Sequence, residues 1–267
     1  MEGEEDREGE RLLVDYTDDE HWFMAADVGD FDTLLRLRNS RDIDATDDEG
    51  CTALIYVARR GSVPCLQLLL DANANVNARS NFGVSALMIA AHEGHTECLN
   101  LLIDARGDIE ATANDGATAL LAASAKGHPV CVRLLLDAKA NIEAENKRGH
   151  TALILAAQHD RDECVRLLLD ARANVNAGAH ACGTALGYAI EAENNTCVRW
   201  LIDAKANLKA PDENGMSPLM GAIVYTESAE CLRMLIEAKV NVNGNDCAGN
   251  PALVMSTAKE SAEYMQL

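Results

Sequence analysis

The chain has 267 residues, of which 48% are hydrophobic, and its formal net charge at pH 7 is −20. Such an excess of carboxylates disfavours binding to nucleic-acid phosphates or to an anionic membrane surface. No apolar run approaches the roughly 20 residues of a membrane span, and the acidic N-terminus does not resemble a signal peptide, so we expect a cytoplasmic or nuclear protein in a reducing compartment, without membrane insertion.

Residues 1–19 are acidic and contain few apolar side chains. Such a composition cannot bury enough apolar surface to fold, so we interpret this stretch as a disordered tail. Residues 20–45 follow, and the sequence HWFMAADVGDFDTLLRLRN within them predicts two short helices separated by Gly29. Trp22 and Phe23 are large apolar residues that we expect to close one end of the core.

From residue 46 onward, one sequence unit recurs with a step of 33 residues. Its marker is the tripeptide Thr118-Ala119-Leu120, with counterparts that begin at Thr52, Ser85, Thr151, Thr184 and Ser217. A fixed period between about 20 and 50 residues indicates a stacked repeat array. The units run over residues 46–78, 79–111, 112–144, 145–177, 178–210 and 211–244, and a further partial unit covers 245–267.

The third unit shows the elements that we expect in each repeat. Thr118 is a good helix N-cap, because its hydroxyl can accept hydrogen bonds from first-turn amides. The small apolar residues after it predict a first helix that ends at Gly127, and Pro129 suits the start of a second helix. One such unit cannot bury its apolar face alone, so several must stack to build a continuous core.

The pattern G-x-T-A-L-x-x-A-A-x-x-G-H, followed by C-V-R-L-L-L-D-A-x-A-N-V-N-A, resembles the ankyrin repeat. The resemblance covers roughly residues 20–267 and implies an all-α solenoid of stacked helix-turn-helix pairs joined by β-hairpin loops. It implies an N-terminal capping repeat at 20–45, six full repeats at 46–244 and a truncated C-terminal capping repeat at 245–267. The glycine that is usual after the second helix is replaced, for example by Lys139, and we expect a right-handed turn there.

Cysteine and histidine residues follow the repeat and form no catalytic or metal-binding pattern. In His92-Glu93-Gly94-His95 the histidines are one residue too close for the zinc-protease motif. We therefore expect no enzyme activity, no metal and no cofactor. Six cysteines share one repeat position, where we expect small buried hydrophobes too far apart for disulfides, namely Cys65, Cys98, Cys131, Cys164, Cys197 and Cys231.

In proteins of this family, ligands usually lie on a concave face formed by hairpin tips and first helices, and the resemblance implies the same here. Phe82 is an aromatic residue on a hairpin tip, and exposed aromatics make good interface anchors. The candidate partner-binding residues are Arg59, Arg60, Phe82, His92, Lys126, Lys147, Arg148, His150, His159 and Tyr225. Five of them form a basic centre, namely Lys126, Lys147, Arg148, His150 and His159. We hypothesise that this centre receives an acidic or phosphorylated segment of a protein partner, the alternative being ordinary variation of a solvated surface.

These features favour a non-enzymatic scaffold or adaptor for protein partners. Two alternatives stay open, namely a fixed structural subunit of a larger multiprotein assembly and a protein inhibitor that blocks the cleft of an enzyme. Tyr264, Met265 and Leu267 leave the C-terminal end of the stack apolar, which makes that end a candidate second interface and is compatible with an assembly subunit.

Overall fold

The computed structural model describes residues 18–179, 183–212, 215–227 and 229–242, and these residues form a series of helix pairs. The first helices of the pairs are α1 (Asp18–Val28), α3 (Ala53–Arg60), α5 (Ala86–Glu93), α7 (Ala119–Lys126), α9 (Ala152–Gln158), α11 (Ala185–Glu191) and α13 (Pro218–Tyr225). The second helices are α2 (Phe31–Leu37), α4 (Val63–Asp71), α6 (Thr96–Asp104), α8 (Pro129–Asp137), α10 (Asp162–Asp170), α12 (Asn195–Asp203) and α14 (Glu230–Glu237).

The predicted all-α class and the solenoid of helix pairs are confirmed. The predicted helix pair within residues 21–39 is present as α1 and α2, and α1 includes the last two residues of the predicted tail. Residues 1–17 and 243–267 lie outside the described residues, and with them nearly all of the predicted tail and the truncated C-terminal repeat.

Side-chain caps and glycines set the two ends of the first helices. The hydroxyl of Thr118 accepts from the backbone N–H of Leu121 at 3.4 Å, and Thr151 caps α9 in the same way. At the other end of α7, Gly127 has φ 81°, a left-handed conformation that costs a residue without a Cβ little. The cap predicted at Thr118 and the helix end predicted at Gly127 are therefore confirmed.

The turns after the second helices correct one prediction. Lys139, expected in a right-handed conformation, has φ 69°, and the equivalent Asn73 has φ 61°. The reason is a hydrogen bond that closes the helix end: the N–H of Ala74 donates to the carbonyl of Leu69 at 3.0 Å, and this geometry requires a left-handed residue between them. The same conformation occurs at Arg106, Arg172, Lys205 and Lys239.

Short antiparallel pairings make the hairpins that lead into the first helices. Before α3 and α5 they are single bridges, Thr46 to Thr52 and Arg79 to Ser85. Before α11 they extend to two-residue strands, β1 (Gly178–Ala179) and β2 (Gly183–Thr184), in the register Gly178 to Thr184.

One apolar core runs from Trp22 to Leu235, and the first helices pack against one another in series from α1 to α13. The side chain of Trp22 is fully buried at the start of this core, as expected for a residue that closes the stack. The cysteines of the repeat position are buried as free thiols, so their predicted role as small core residues is confirmed.

A ladder of polar side chains joins neighbouring repeats along the loops after the second helices. The amide of Asn75 donates to the carboxylate of Asp44 at 2.8 Å, and the amide of Asp108 donates to the side chain of Asn77 at 2.7 Å. The same bond recurs one and two repeats further on, from Asn141 to Glu110 and from Asn174 to Glu143. These bonds fix the spacing of successive repeats, and with it the alignment of their exposed side chains.

Candidate partner-binding face

We call the surface made by the hairpin tips 47–49, 80–82, 113–115 and 146–148, and by the exposed sides of α3, α5, α7, α9 and α11, the hairpin-and-first-helix face. Nine of the ten predicted partner-binding residues lie on hairpin tips or within or directly after first helices, and His150 directly precedes the N-cap of α9.

Backbone hydrogen bonds hold the hairpin tips in register. The N–H of Asn81 donates to the carbonyl of Glu49 at 2.8 Å, and the N–H of Lys147 donates to that of Asp115 at 2.9 Å. Between them, the N–H of Asn114 donates to the carbonyl of Phe82 at 2.9 Å. Side chains on the first four tips are therefore presented from a regular backbone.

Phe82 lies at the tip of the second repeat, and its side chain is 59% exposed. Its carbonyl is engaged with Asn114, so the backbone beneath the ring is fixed while the ring faces solvent. An exposed aromatic ring on a fixed backbone loses little conformational entropy when a partner covers it.

Lys147 and Arg148 are exposed on the tip of the fourth repeat, and within the described part of the chain neither forms an ion pair. Arg148 also lines an open cavity of about 290 Å³. The other lining residues are Gln158 at the end of α9 and Tyr188, Glu191 and Ala192 from the fifth repeat. The tip of one repeat and the first helix of the next therefore enclose a polar groove with a guanidinium at its edge.

Lys126 and His159 hold equivalent positions at the ends of α7 and α9. Burial lowers the pKa of the His159 imidazole below its ordinary value of 6.5, and the charges of Arg161 and Lys126 lower it further. The three cationic groups therefore lie close enough to influence one another. Arg161 was not among the predicted residues, although its position matches the histidine of the Gly-His pairs and could have been read from the repeat alignment.

The structure corrects the prediction for His150, whose side chain is only 1% exposed. The ring packs edge-on against Tyr188, with the ring centroids 5.7 Å apart, and its Nε2 lies 3.4 Å from the Tyr188 hydroxyl. The residue before the N-cap points into the space between neighbouring repeats, so the imidazole is enclosed there. His150 therefore does not belong to the exposed basic centre.

Arg59 and Arg60 end α3, and the structure places them in different surroundings. Arg59 donates to the carboxylate of Asp27 at 2.7 Å and lies over the ring of Tyr56, 4.7 Å from its centroid. The hydrogen bond with Asp27 raises the pKa of the Arg59 guanidinium above its ordinary value. Arg60 is exposed and has no ion pair among the described residues.

His92 and Tyr225 are engaged within the chain. The Nδ1 of His92 lies 2.9 Å from the carboxylate of its neighbour Glu93, and its carbonyl oxygen accepts from the Nε2 of His128 at 2.9 Å. The hydroxyl of Tyr225 donates to Asp212 at 2.9 Å, which holds this ring against its own hairpin.

The side chains that could bind a metal or react with a substrate have structural roles within the repeats. Among the described residues, no three His, Cys, Asp or Glu side chains come together in a way that could hold a metal ion. Burial raises the pKa of the Cys164 thiol to about 11 and that of the Cys197 thiol to about 12, so these sulfurs stay protonated and unreactive. None of the described helices is both long and apolar enough to span a membrane.

Comparison with known proteins agrees with this architecture. The family model for ankyrin repeats matches in three copies, over residues 22–113, 105–179 and 177–246. The human ASB11 ankyrin repeat domain matches with a TM-score of 0.73 and 25% identity, covering 81% of this chain and 96% of that one. The ankyrin repeat domain of Bcl-3, a member of the IkappaB protein family, matches with a TM-score of 0.69 and 28% identity, covering 81% and 97%. No curated protein matches the sequence.

Proposed function

The chain belongs to the ankyrin-repeat family, and from this premise we propose that it is a non-enzymatic scaffold or adaptor that holds a protein partner on its hairpin-and-first-helix face. Ankyrin repeats generally mediate protein–protein interaction, and the two solved structures described above are ankyrin repeat domains. The observation that carries the proposal is the fixed register of the hairpin tips, from which one aromatic and two cationic side chains reach solvent.

The partner segment is acidic or phosphorylated. A local excess of positive charge stands on a chain whose net charge is −20. It is formed by Lys147 and Arg148 on the hairpin tip, by Lys126 at the end of α7 and by Arg161 just after α9. Complementary charge accelerates the encounter of two proteins and excludes partners of the wrong sign. Phe82 supplies an apolar anchor two repeats away from Arg148, so the segment that we propose crosses several tips. Nucleic acid is not proposed, because its phosphates would meet an acidic protein.

We propose no catalytic activity, because the histidines and the thiols have structural roles in the stack. The imidazoles of His95 and His128 bond to carbonyl oxygens of the preceding repeats at 3.0 Å and 2.9 Å. The described cysteines are free thiols, which fits a reducing compartment such as the cytoplasm or the nucleus. Both groups of side chains thus stabilise the stack.

A fixed structural subunit is the second candidate, and the N-terminal end of the stack favours it. Met24 and Val28 in α1 are 44% and 57% exposed, and Phe31 and Leu35 in α2 are each 39% exposed. Apolar side chains gathered at one end of a solenoid are a surface that an assembly neighbour can cover. An inhibitor of an enzyme is a third form of the same binding function, and it would be recognised by assaying the partner's activity.

The experiment is affinity capture from the native source with the tagged full-length chain, in which partners are identified and quantified by mass spectrometry. Wild-type chain is compared with Lys147→Glu/Arg148→Glu and with the matched control Arg133→Glu/Arg166→Glu, which makes the same charge change on exposed residues of the second helices. We expect one or a few proteins to be retained by wild type and the control and lost by the first variant. A partner held equally by all three contradicts binding at the basic tip, and a partner lost only from the control places the interface on the second helices.

A further inference from the structure

The turn between α3 and α4 contains the sequence Arg59-Arg60-Gly61-Ser62-Val63. Arginines two and three residues before a serine, with an apolar residue after it, form the charge pattern selected by basophilic protein kinases, whose substrate grooves offer carboxylates to guanidinium groups. We propose that Ser62 is a phosphorylation site for a kinase of this class. This proposal concerns covalent modification and does not depend on the identity of the partner discussed above.

The local backbone is already partly suited to enter a kinase groove. Helix α3 ends at Arg60, Gly61 has φ 76°, and Ser62 is extended with φ −81° and ψ 95°. The amides of Gly61 and Ser62 both bond to the carbonyl of Val57, at 2.9 and 3.3 Å. Opening the last turn of α3 breaks these two bonds, the 3.0 Å bond from His95 Nε2 to the carbonyl of Arg59 and the exposed ion pair of Arg59.

The Ser62 side chain is half-buried, and its hydroxyl is not committed to a hydrogen bond that the fold needs. It makes no cap bond, and it forms no hydrogen bond within the described residues. In the following repeats this position carries larger groups, His95, His128 and Arg161, each of which lies over the glycine that ends the preceding repeat's first helix. Ser62 instead faces Gly29, and even a Cβ built on that glycine would remain 3.4 Å from its Oγ. A phosphoryl group would occupy the volume that an imidazole or guanidinium fills elsewhere.

The surroundings of Ser62 favour a negatively charged group at this position. In the preceding helix pair the equivalent N-cap is Asp30, whose carboxylate accepts from the backbone N–H of Thr33 at 3.1 Å and from its hydroxyl at 2.7 Å. These bonds lower the pKa of Asp30. A phosphate on Ser62 would likewise face the first turn of the nine-residue helix α4, with Arg60 at the end of α3 as a neighbouring cation.

The reaction transfers the γ-phosphoryl group of ATP. The Ser62 Oγ forms a bond to the γ-phosphorus, the bond from that phosphorus to the β–γ bridging oxygen breaks, ADP leaves, and the hydroxyl proton passes to the base of the kinase. The product carries a phosphate beside Arg59 and Arg60 and so cancels the positive charge at this end of the hairpin-and-first-helix face. If the partner segment is acidic, as proposed above, phosphorylation weakens its contact with Arg60.

The test incubates the full-length chain with Mg-ATP and the catalytic subunit of cyclic-AMP-dependent protein kinase, and locates phosphate by tandem mass spectrometry. A peptide of residues 57–67 reports whether the sequence is recognised without the fold, and Ser62→Ala and Arg59→Gln/Arg60→Gln are run as full chains. We expect one phosphoryl group on Ser62, none on Ser62→Ala, and a rate at least about tenfold lower for the double arginine variant.

Three results would overturn the proposal. If the peptide is phosphorylated and the folded chain is not, the turn between α3 and α4 does not open for a kinase. If neither is phosphorylated, or if the phosphate is found on Ser40 instead, the motif is not the recognised element. Circular dichroism of each variant confirms that the helical fold is retained in every comparison.

Discussion

The Nε2 atom of His128, at the start of α8, donates a hydrogen bond of 2.9 Å to the carbonyl oxygen of His92, at the end of the first helix one repeat earlier. The bond joins neighbouring repeats beside the core, and His95 makes the same bond to the carbonyl of Arg59.

We predict that His128→Ala lowers the free energy of unfolding by about 1–2 kcal/mol, because the carbonyl of His92 loses its partner. Urea denaturation measures the change. The exposed neighbour Val130, truncated to alanine, serves as control and should change stability by less than about 0.5 kcal/mol.

Lys139 has φ 69°, a conformation that places a Cβ too close to the backbone. We predict that Lys139→Gly stabilises the chain by about 0.5–1 kcal/mol, since the relief of backbone strain exceeds the entropy that glycine adds to the unfolded state. Lys139→Ala keeps the Cβ and should leave stability nearly unchanged, which separates backbone strain from the loss of the lysine charge. A glycine variant less stable than the alanine variant would contradict this explanation.

Ser124 in α7 is fully buried, and its hydroxyl has no hydrogen-bond partner among the residues that the structure describes. Equivalent positions in the neighbouring repeats carry Ala91 and Ala157, both fully buried. We predict that Ser124→Ala raises the free energy of unfolding by about 1 kcal/mol, because it removes a buried polar group that makes no bond. Thr118→Ala deletes a hydroxyl in the same helix that does cap it, and should instead cost about 1 kcal/mol. Equal losses in the two variants would show that the Ser124 hydroxyl is bonded in solution.

Burial lowers the pKa of His159 below 6.5, and the charges of Arg161 and Lys126 lower it further. The unfolded chain therefore takes up this proton at a higher pH than the folded chain does. The contribution of His159 to stability is present above pH 6.5 and is lost as the pH falls through that value toward the folded pKa. We predict that Lys126→Gln raises the pKa of His159, measured by an NMR titration of the imidazole protons. The distant variant Lys205→Gln should leave that titration unchanged.

An acidic partner segment would have the opposite effect on His159, because a nearby anion favours the imidazolium form. Affinity should then increase as the pH falls from 7.5 to 6 in about the range of the ordinary histidine pKa. His159→Gln should remove this pH dependence while it leaves binding at high pH almost unchanged. An affinity that is flat with pH in the wild-type chain would show that the segment does not reach His159.

The repeat predicts most of the fold because each position recurs under the same constraints. Thr118 and Gly127 could be assigned from sequence, since a capping hydroxyl and a terminal glycine act locally. The left-handed turn at Lys139 could not, because the bond from the N–H of Ala140 to the carbonyl of Leu135 determines its φ, and that bond belongs to the helix end rather than to the residue type.

The candidate face was harder to predict because exposure depends on what the neighbouring repeat supplies. His150 looked like a surface cation, yet Tyr188 of the next repeat covers it. Arg59 looked available, yet Asp27 of the preceding helix pair binds it. Both contacts join residues more than 30 positions apart, from elements that vary between repeats, so periodicity does not reveal them.

The most direct test of the central proposal is the affinity of the captured partner, once purified, for three versions of the full chain by isothermal titration calorimetry. We predict that Lys147→Glu/Arg148→Glu weakens binding by at least about tenfold, whereas Arg133→Glu/Arg166→Glu binds as wild type does. The loss should shrink as salt is raised, since exposed charges are screened. Equal affinity of all three chains at low salt would contradict a partner held on the hairpin-and-first-helix face by its basic tip.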